Sequence, residues 1–321
     1  MQLPISNNLP IEILSQSFND TTNSYKFYWF LAILDELTET NSSILNLDNL
    51  SIRMLSDIWY PLDYFKLSFG KQDSFKNISN FVSGKIKIDN SPKSENLFTQ
   101  INKNLNDNDL LNLRLQVKNL IKYVPYRFIR PFFANELKGE KDSNVNRRII
   151  DFANREFENL KPFYCFTDNY IKIHSEWKNY FEKHRFILKG FIYWHLLKFL
   201  QKNNPNVIGL SEKLFKPVKR DLTLAHNFWT NYIEIHNDVN CIYSNLRIQN
   251  QISIDHFVPW SYIAHDQIWN LLPTAKSVNS TKGNNLPNFE KYFDPFINLQ
   301  FDAYQTIYKS EIKDKKPLLN D

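Results

Sequence analysis

Cysteine is scarce in this sequence: Cys165 and Cys241 are the two cysteines among 321 residues. A scaffold held by several disulfides is therefore excluded, and so is a zinc site built from three or four cysteines. Sparse cysteine is typical of a reducing compartment, and we expect a cytoplasmic protein. Residues 1–20 show no basic segment followed by an apolar run, so the sequence predicts no signal peptide.

Glycine is scarce as well, at 6 residues. So low a count leaves no room for a glycine-rich phosphate loop, and the dinucleotide-binding and P-loop signatures are both absent. The most apolar stretch, residues 186–200, is interrupted by Lys189, His195 and Lys198 and is too short to span a bilayer. The sequence therefore predicts a protein without a membrane partner.

Hydrophobic and aromatic residues are plentiful, at 42% and 15% of the chain. A chain this rich in apolar side chains can bury a sizeable core, which argues against global disorder. Lys and Arg outnumber Asp and Glu by 39 to 34, a formal net charge of +5. This mild excess permits a nucleic-acid partner but does not demand one. Asparagine is over-used, which we interpret as coding bias.

Helical patterns dominate the first 240 residues. Residues 25–34 are apolar nearly all round, a pattern typical of a buried helix, and Pro61 and Pro125 mark the ends of two later helices. The pattern breaks at residues 163–174, where two apolar pieces flank a polar turn and predict a β-hairpin.

The character of the sequence changes near residue 237. Residues 246–254 suggest two strands joined by a turn at 249–251, and residues 275–282 and 289–309 suit a short and a long helix. We predict a mainly α protein of two domains. A mostly helical region covers residues 1–238, and a smaller domain of strands and helices covers residues 239–321.

One window carries a pattern of chemistry-bearing residues: Asp255, His256, Pro259, Asp266, Asn270, Asn279 and Lys282. A strand that ends in Asp255 and His256 places a carboxylate and an imidazole at its exit. A short helix after a loop can bring the amide oxygen of Asn279 opposite them. Carboxylate and amide oxygens suit Mg²⁺ or Mn²⁺, and an imidazole can deprotonate water at neutral pH.

This window resembles the HNH, or His-Me finger, nuclease family over residues 241–287. The spacing of His256, Asn270 and Asn279 is similar to that in the HNH domain of RNA-guided CRISPR nucleases. The resemblance implies a ββα-metal fold and metal-dependent hydrolysis of phosphodiester bonds. Segments of the preceding region, including residues 28–34 and 124–133, resemble a group of prokaryotic HNH proteins with a helical N-terminal region.

The resemblance also assigns roles. It makes His256 the general base, and it makes Asp255 and Asn279 ligands of a single Mg²⁺ or Mn²⁺ ion. Asn270 would pin the loop and orient the histidine backbone, and Lys282 would lie near a DNA phosphate. The alternatives are structural: a core histidine, a turn residue at a strand end, a helix-capping asparagine and a solvated lysine.

The sequence departs from the family in one respect. Many HNH proteins bind structural zinc through two cysteine pairs, whereas here Cys241 stands alone and Ser244 occupies a place where a second cysteine would be. We therefore expect no structural zinc. Instead, we expect packing by Phe257, Trp260, Trp269 and the closing helix to hold the finger together.

Basic residues outside the finger are weaker candidates. Arg127 and Arg130 lie on or just beyond one predicted helix, and Lys219 and Arg220 precede another. A basic face that follows the DNA backbone is one interpretation, and an ordinary solvated helix surface is the other.

These observations favour a metal-dependent HNH endonuclease that acts on DNA, in particular double-stranded DNA, in bacterial defence or restriction. The helical region would provide target recognition, homodimerisation or docking to a partner protein of a defence system. One alternative is a non-catalytic nucleic-acid-binding subunit, and another is a nicking homing-type or RNA-directed nuclease. The set of Asp255, His256 and Asn279 argues against the first, since a finger that only binds needs neither a base nor two ligands.

Overall fold

The structure is a computed structural model of the 321-residue chain. It describes residues 2–19, 21–70, 74–90, 94–215, 220–248 and 252–310. The chain divides into two compact units. The first comprises Met1–Pro205 with Leu214–Lys216, and the second comprises Asn206–Lys213 with Pro217–Asp321.

The first unit is mainly helical. Its helices are α1 (Ile11–Gln16), α2 (Tyr25–Thr40), α3 (Leu47–Trp59), α4 (Phe75–Lys85), α5 (Leu97–Asn104), α6 (Asp107–Val117), α7 (Val124–Ile129), α8 (Asp142–Arg155), α9 (Ser175–Lys183) and α10 (Arg185–Asn203). Its strands are β1 (Ile44–Asn46), β2 (Tyr164–Thr167) and β3 (Tyr170–Ile173). They form an antiparallel sheet in the order β1-β3-β2, so a hairpin occupies the segment where the helical pattern breaks.

Helix α2 lies at the centre of this unit because its side chains are apolar on every face. Residues 27–34 are all buried, and α3, α7, α9 and α10 pack around the helix. The indole Nε1 of Trp29 donates a hydrogen bond to the Tyr164 hydroxyl (3.0 Å), which in turn donates to the carbonyl of Pro125 (2.5 Å). These two buried polar side chains thereby satisfy each other and the Pro125 carbonyl.

In its described residues the second unit contains a small antiparallel sheet packed with several helices. Its elements are α11 (Thr223–His236), β4 (Ser253–His256), α12 (Trp260–Ile263), β5 (Leu271–Thr274), α13 (Lys276–Lys282) and α14 (Phe289–Lys309). Strands β4 and β5 pair in antiparallel register, and α13 follows β5 directly. The order β4-β5-α13 is the expected ββα finger, and the prediction of a mainly α protein with such a C-terminal finger is confirmed.

The predicted hairpin within residues 246–254 is wrong. Residue Arg247 forms a single bridge with Asn240, and β4 takes its partner strand from residues 271–274. Residues 249–251 lie outside the described residues. The local pattern identified one true strand, but the partner of that strand lies beyond a loop that short-range periodicity does not detect.

Aromatic packing holds the finger to the last helix. Phe257, at the end of β4, stacks on Phe296 of α14 with ring centroids 4.1 Å apart and planes 8° from parallel. The expectation that Trp269 takes part is wrong, because its side chain is 52% exposed. Its indole Nε1 instead donates to the side-chain oxygen of Gln267 (2.8 Å).

Helix α11 packs against α14 within the same unit. The Tyr232 hydroxyl donates to a carboxylate oxygen of Asp302 (2.5 Å), and His236 Nε2 lies 2.8 Å from the Thr306 hydroxyl. The second compact unit therefore includes residues 223–236, ahead of the predicted domain boundary at residue 239. Over the ranges that the structure describes, no helix is both long and apolar enough to cross a membrane.

Candidate active site

Strand β4 brings Asp255 and His256 to its C-terminal end. Asp255 pairs with Leu272 and His256 with Leu271 across the sheet, and both polar residues are buried, with 3% and 6% of their surface exposed. The next amide, that of Phe257, donates to the carbonyl of Asn270 (2.8 Å) and extends the pairing by one step. Pairing with β5 therefore fixes the backbone of Asp255 and His256 and of the residue that follows them.

Asn270 locks the chain immediately after the histidine. Its side-chain oxygen accepts from the Val258 amide, and its Nδ2 donates to the Val258 carbonyl, both at 2.9 Å. The residue is 1% exposed, so these bonds lie inside the protein. The predicted role of pinning the loop fits this geometry, with the bonds made to Val258, two residues beyond His256.

Asn279 attaches helix α13 to strand β4. Its Nδ2 donates to the hydroxyl of Ser253 (2.8 Å) and to the carbonyl of Ile254 (3.1 Å), the residue before Asp255. The amide nitrogen thus faces the strand. If Asn279 binds a metal ion, as predicted, the ligand atom is its side-chain oxygen, because the nitrogen is already bonded to the strand.

Lys282 forms a buried ion pair with Asp255, so it is not a solvated surface lysine. Its Nζ lies 3.2 and 3.1 Å from the two carboxylate oxygens of Asp255, and it donates to the carbonyl of His256 (2.6 Å). The two side chains are 9% and 4% exposed. The expected contact of Lys282 with a DNA phosphate stays a prediction, and the structure adds an ion pair that the sequence did not suggest.

The carboxylate of Asp255 is poorly solvated. Burial raises its pKa above the ordinary value, and the charge of Lys282 partly opposes that rise. Its buried Oδ2 lies 3.1 Å from the Nζ of Lys282, and the nearby hydroxyl of Tyr243 also interacts with this carboxylate. Burial, followed by the Asp255 charge, raises the pKa of Tyr243.

The sequence pattern includes Asp266 but assigns it no contact with the histidine. Its Oδ1 lies 2.7 Å from His256 Nε2. A carboxylate oxygen accepts and does not donate, so Nε2 carries the ring proton and Nδ1 is left with a lone pair. The available signal was an acidic residue in the loop after the Asp-His pair.

Arg220 completes the group around the histidine. Its Nη1 lies 3.4 Å from Asp266 Oδ1 and 3.4 and 3.5 Å from the two ring nitrogens of His256. Its guanidinium group lies over the ring of Trp260, 5.4 Å from the centroid. One predicted DNA-binding residue is therefore located at the site, where its charge can meet an anionic substrate.

The other basic residues predicted to bind DNA are Arg127, Arg130 and Lys219. Arg127 of the first unit pairs with Asp142 at 2.9 Å and is 17% exposed, so its charge is already partly neutralised. Arg130, also in the first unit, is exposed. Lys219 lies outside the described residues.

The donor atoms can be compared with those that a divalent cation requires. No group of three or more His, Cys, Asp and Glu side chains arranged for a metal occurs within the described ranges. The predicted pair of Asp255 and Asn279 is a different set, a carboxylate with an amide oxygen, and oxygen donors suit Mg²⁺ and Mn²⁺. The buried carboxylate of Asp255 already faces one cationic group, the Nζ of Lys282 at 3.1 and 3.2 Å, and the same two oxygens suit a divalent ion.

Cys241 is buried in the core of this unit. Its Sγ lies 3.2 Å from the hydroxyl of Thr274 at the end of β5. The thiol thus contributes to packing behind the sheet.

Comparison with known proteins finds one family match, within the second unit. Residues 241–288 match the family model for HNH endonucleases. The matched span includes β4, β5 and α13, and with them Asp255, His256 and Asn270. The chain therefore carries an HNH endonuclease domain, and the resemblance found in the sequence is confirmed. No curated protein and no solved structure matches the chain.

Proposed function

We propose that this protein is a metal-dependent endonuclease that hydrolyses DNA phosphodiester bonds in bacterial defence or restriction, in the cytoplasm. The observation that carries the proposal is the hydrogen bond between Asp266 and His256, next to the buried carboxylate of Asp255. A finger that merely binds nucleic acid has no use for an imidazole whose tautomer is set by a carboxylate.

His256 is the general base in this proposal. Because Asp266 accepts from Nε2, the ring lone pair is that of Nδ1, which takes a proton from an attacking water once Arg220 Nη1, 3.5 Å away, contacts the substrate instead. The carboxylate also stabilises the imidazolium that forms when the proton arrives. Arg220 adds positive charge where a phosphate would approach.

Asp255 and Asn279 are the residues that would hold the Mg²⁺ or Mn²⁺ ion. When bound, such an ion stabilises negative charge on the scissile phosphate and on the leaving oxygen. Lys282 would have to release the Asp255 carboxylate for that residue to hold the ion, because its Nζ is already paired with it. The displaced ammonium group is then available to a phosphate of the substrate, which reconciles its observed position with its predicted role.

The first prediction concerns the base. We expect the full-length protein to nick supercoiled plasmid in Mg²⁺ or Mn²⁺, and we expect His256→Ala to lower the rate by about 100-fold or more, since general-base catalysis contributes about that much. His226→Ala on α11 is the matched control. Gel separation of nicked, linear and supercoiled DNA measures the rate and distinguishes nicking from double-strand cleavage.

Three outcomes would count against the proposal. Equal activity of wild type and His256→Ala would remove His256 as the base. Activity in excess EDTA would remove the metal. Binding of plasmid without cleavage at any metal concentration would favour the alternative of a non-catalytic nucleic-acid-binding subunit.

A further inference from the structure

A cavity opens on the finger beside the Asp255 carboxylate. Its volume is about 400 Å³, and its lining includes Tyr243, Tyr292, Val278, Pro287, Thr281 and Lys282. All of these residues belong to the second unit. Neither the proposed metal ligands nor the proposed base lines it, so the cavity is distinct from the hydrolytic centre.

The walls of the cavity suit a flat ring. Tyr243 and Tyr292 meet edge to face, with centroids 5.2 Å apart and planes 73° from parallel. Val278 and Pro287 add apolar surface, and Thr281 adds a hydroxyl at the margin. Aromatic faces bounded by apolar groups and hydroxyls are the surroundings in which proteins bind nucleobases.

Lys282 connects the cavity to the hydrolytic centre. Lys282 lines the cavity and places its Nζ 3.1 Å from Asp255 Oδ2. The same Nζ lies 5.9 Å from the centroid of the Tyr243 ring. A nucleobase bound against Tyr243 would therefore place its attached phosphate close to the ammonium group of Lys282 and the carboxylate of Asp255.

We propose that this cavity binds one unstacked nucleobase of the strand that is cut, next to the scissile phosphate. The proposal rests on the proposed nuclease function and refines its substrate. A base has to leave the stack to enter the cavity, and the energy required is smallest in an unpaired or mismatched segment. We therefore expect unpaired positions within DNA to be cut faster than perfect duplex.

The test is an abasic scan with full-length protein. His256→Ala protein in Mg²⁺ is mixed with fluorescent single-stranded oligonucleotides, each lacking one base at a different position, and Kd is measured by anisotropy. We expect one abasic position to weaken binding about 10-fold, as for loss of one stacked base. In His256→Ala protein that also carries Tyr292→Ala, the same position should make no difference.

Matched variants distinguish loss of the nucleobase site from a general loss of folding. Tyr292→Phe should behave as the parent, and so should Tyr304→Ala, an exposed tyrosine of the same helix. Thr281→Trp fills the cavity from an exposed position without removing packing, so it should abolish the abasic effect even if Tyr292→Ala folds poorly.

The two proposals fail in different ways. A flat abasic scan, or an abasic effect of equal size in the Thr281→Trp variant, overturns the nucleobase site while wild-type nicking continues. If wild-type protein neither binds nor cuts any oligonucleotide, the nuclease proposal fails and the nucleobase site fails with it.

Discussion

At the scale of single residues, the nitrogen of His256 that contacts Asp266 is not the one that would take a proton from water. The bond from Nε2 to Asp266 Oδ1, at 2.7 Å, therefore orients the ring without occupying Nδ1. Positioning groups of this kind commonly affect activity by about 10- to 100-fold.

We expect Asp266→Ala to lower the single-turnover rate of DNA cleavage about 10- to 100-fold while Kd for DNA stays near the wild-type value. Asp266→Asn retains an accepting oxygen but lacks the charge. Its cleavage rate should therefore fall between those of the wild type and Asp266→Ala. Rapid-quench cleavage and anisotropy measure the two quantities separately. The control is Asp238→Asn, an exposed acid of the same unit. A parallel loss of binding and rate in Asp266→Ala would contradict a positioning role.

At the scale of elements, the surplus of asparagine has structural uses beyond coding bias. Side-chain oxygens cap the first turns of four helices, and two more asparagines end helices in the left-handed conformation. The capping residues are Asn46, Asn96, Asn106 and Asn288, and the terminating residues are Asn41 and Asn237. Asparagine suits both positions because its amide accepts from backbone N–H groups and it tolerates positive φ.

Asn270 serves an element in a different way, by tying the end of β4 to the start of β5. We expect Asn270→Ala to destabilise the second unit by about 1–3 kcal/mol, because it leaves the partly buried amide and carbonyl of Val258 without their partner side chain. Urea unfolding measures the change. Asn298→Ala, at an exposed position of α14, serves as the control and should change stability little. Wild-type stability of Asn270→Ala would show that the loop does not depend on these bonds.

At the scale of the whole molecule, the first unit contains a cluster of charges among α2, α3 and α10. Asp35 accepts from Arg185 (2.8 Å) and Lys189 (2.5 Å), whereas Oδ2 of Asp57 is buried and has no hydrogen-bond partner in the described chain. Burial, followed by the charge of Asp35, raises the pKa of Asp57 to about 8.

This shift predicts how the stability of the first unit depends on pH. Between about pH 4 and pH 8 the folded protein keeps a proton that the unfolded chain releases, so the contribution of Asp57 to stability falls as pH rises. We expect Asp57→Asn to raise Tm by several degrees at pH 8 and to change it less at pH 5, as measured by calorimetry. Asp151→Asn, an exposed acid of the same unit, is the control. A gain in Tm that is the same at both pH values would contradict this account.

The boundary between the two units also depends on contacts between distant parts of the chain. The change of pattern near residue 237 suggested a boundary there, yet α11 packs on α14 and belongs with the finger. Periodicity identifies a helix and its apolar face, but it does not specify which distant surface covers that face.

The sequence by itself determined the mainly helical class, the extents of the last two helices and the Asp255-His256 pair with its two asparagines. These features follow from the spacing of apolar residues, from helix-capping residues and from the spacing of the site residues along the chain. Only the tertiary structure decided that β4 pairs with β5, that Lys282 neutralises Asp255 and that Asp266 holds His256. Each of these depends on side chains that folding brings together across a loop, and such distances are not encoded in any short window of the chain.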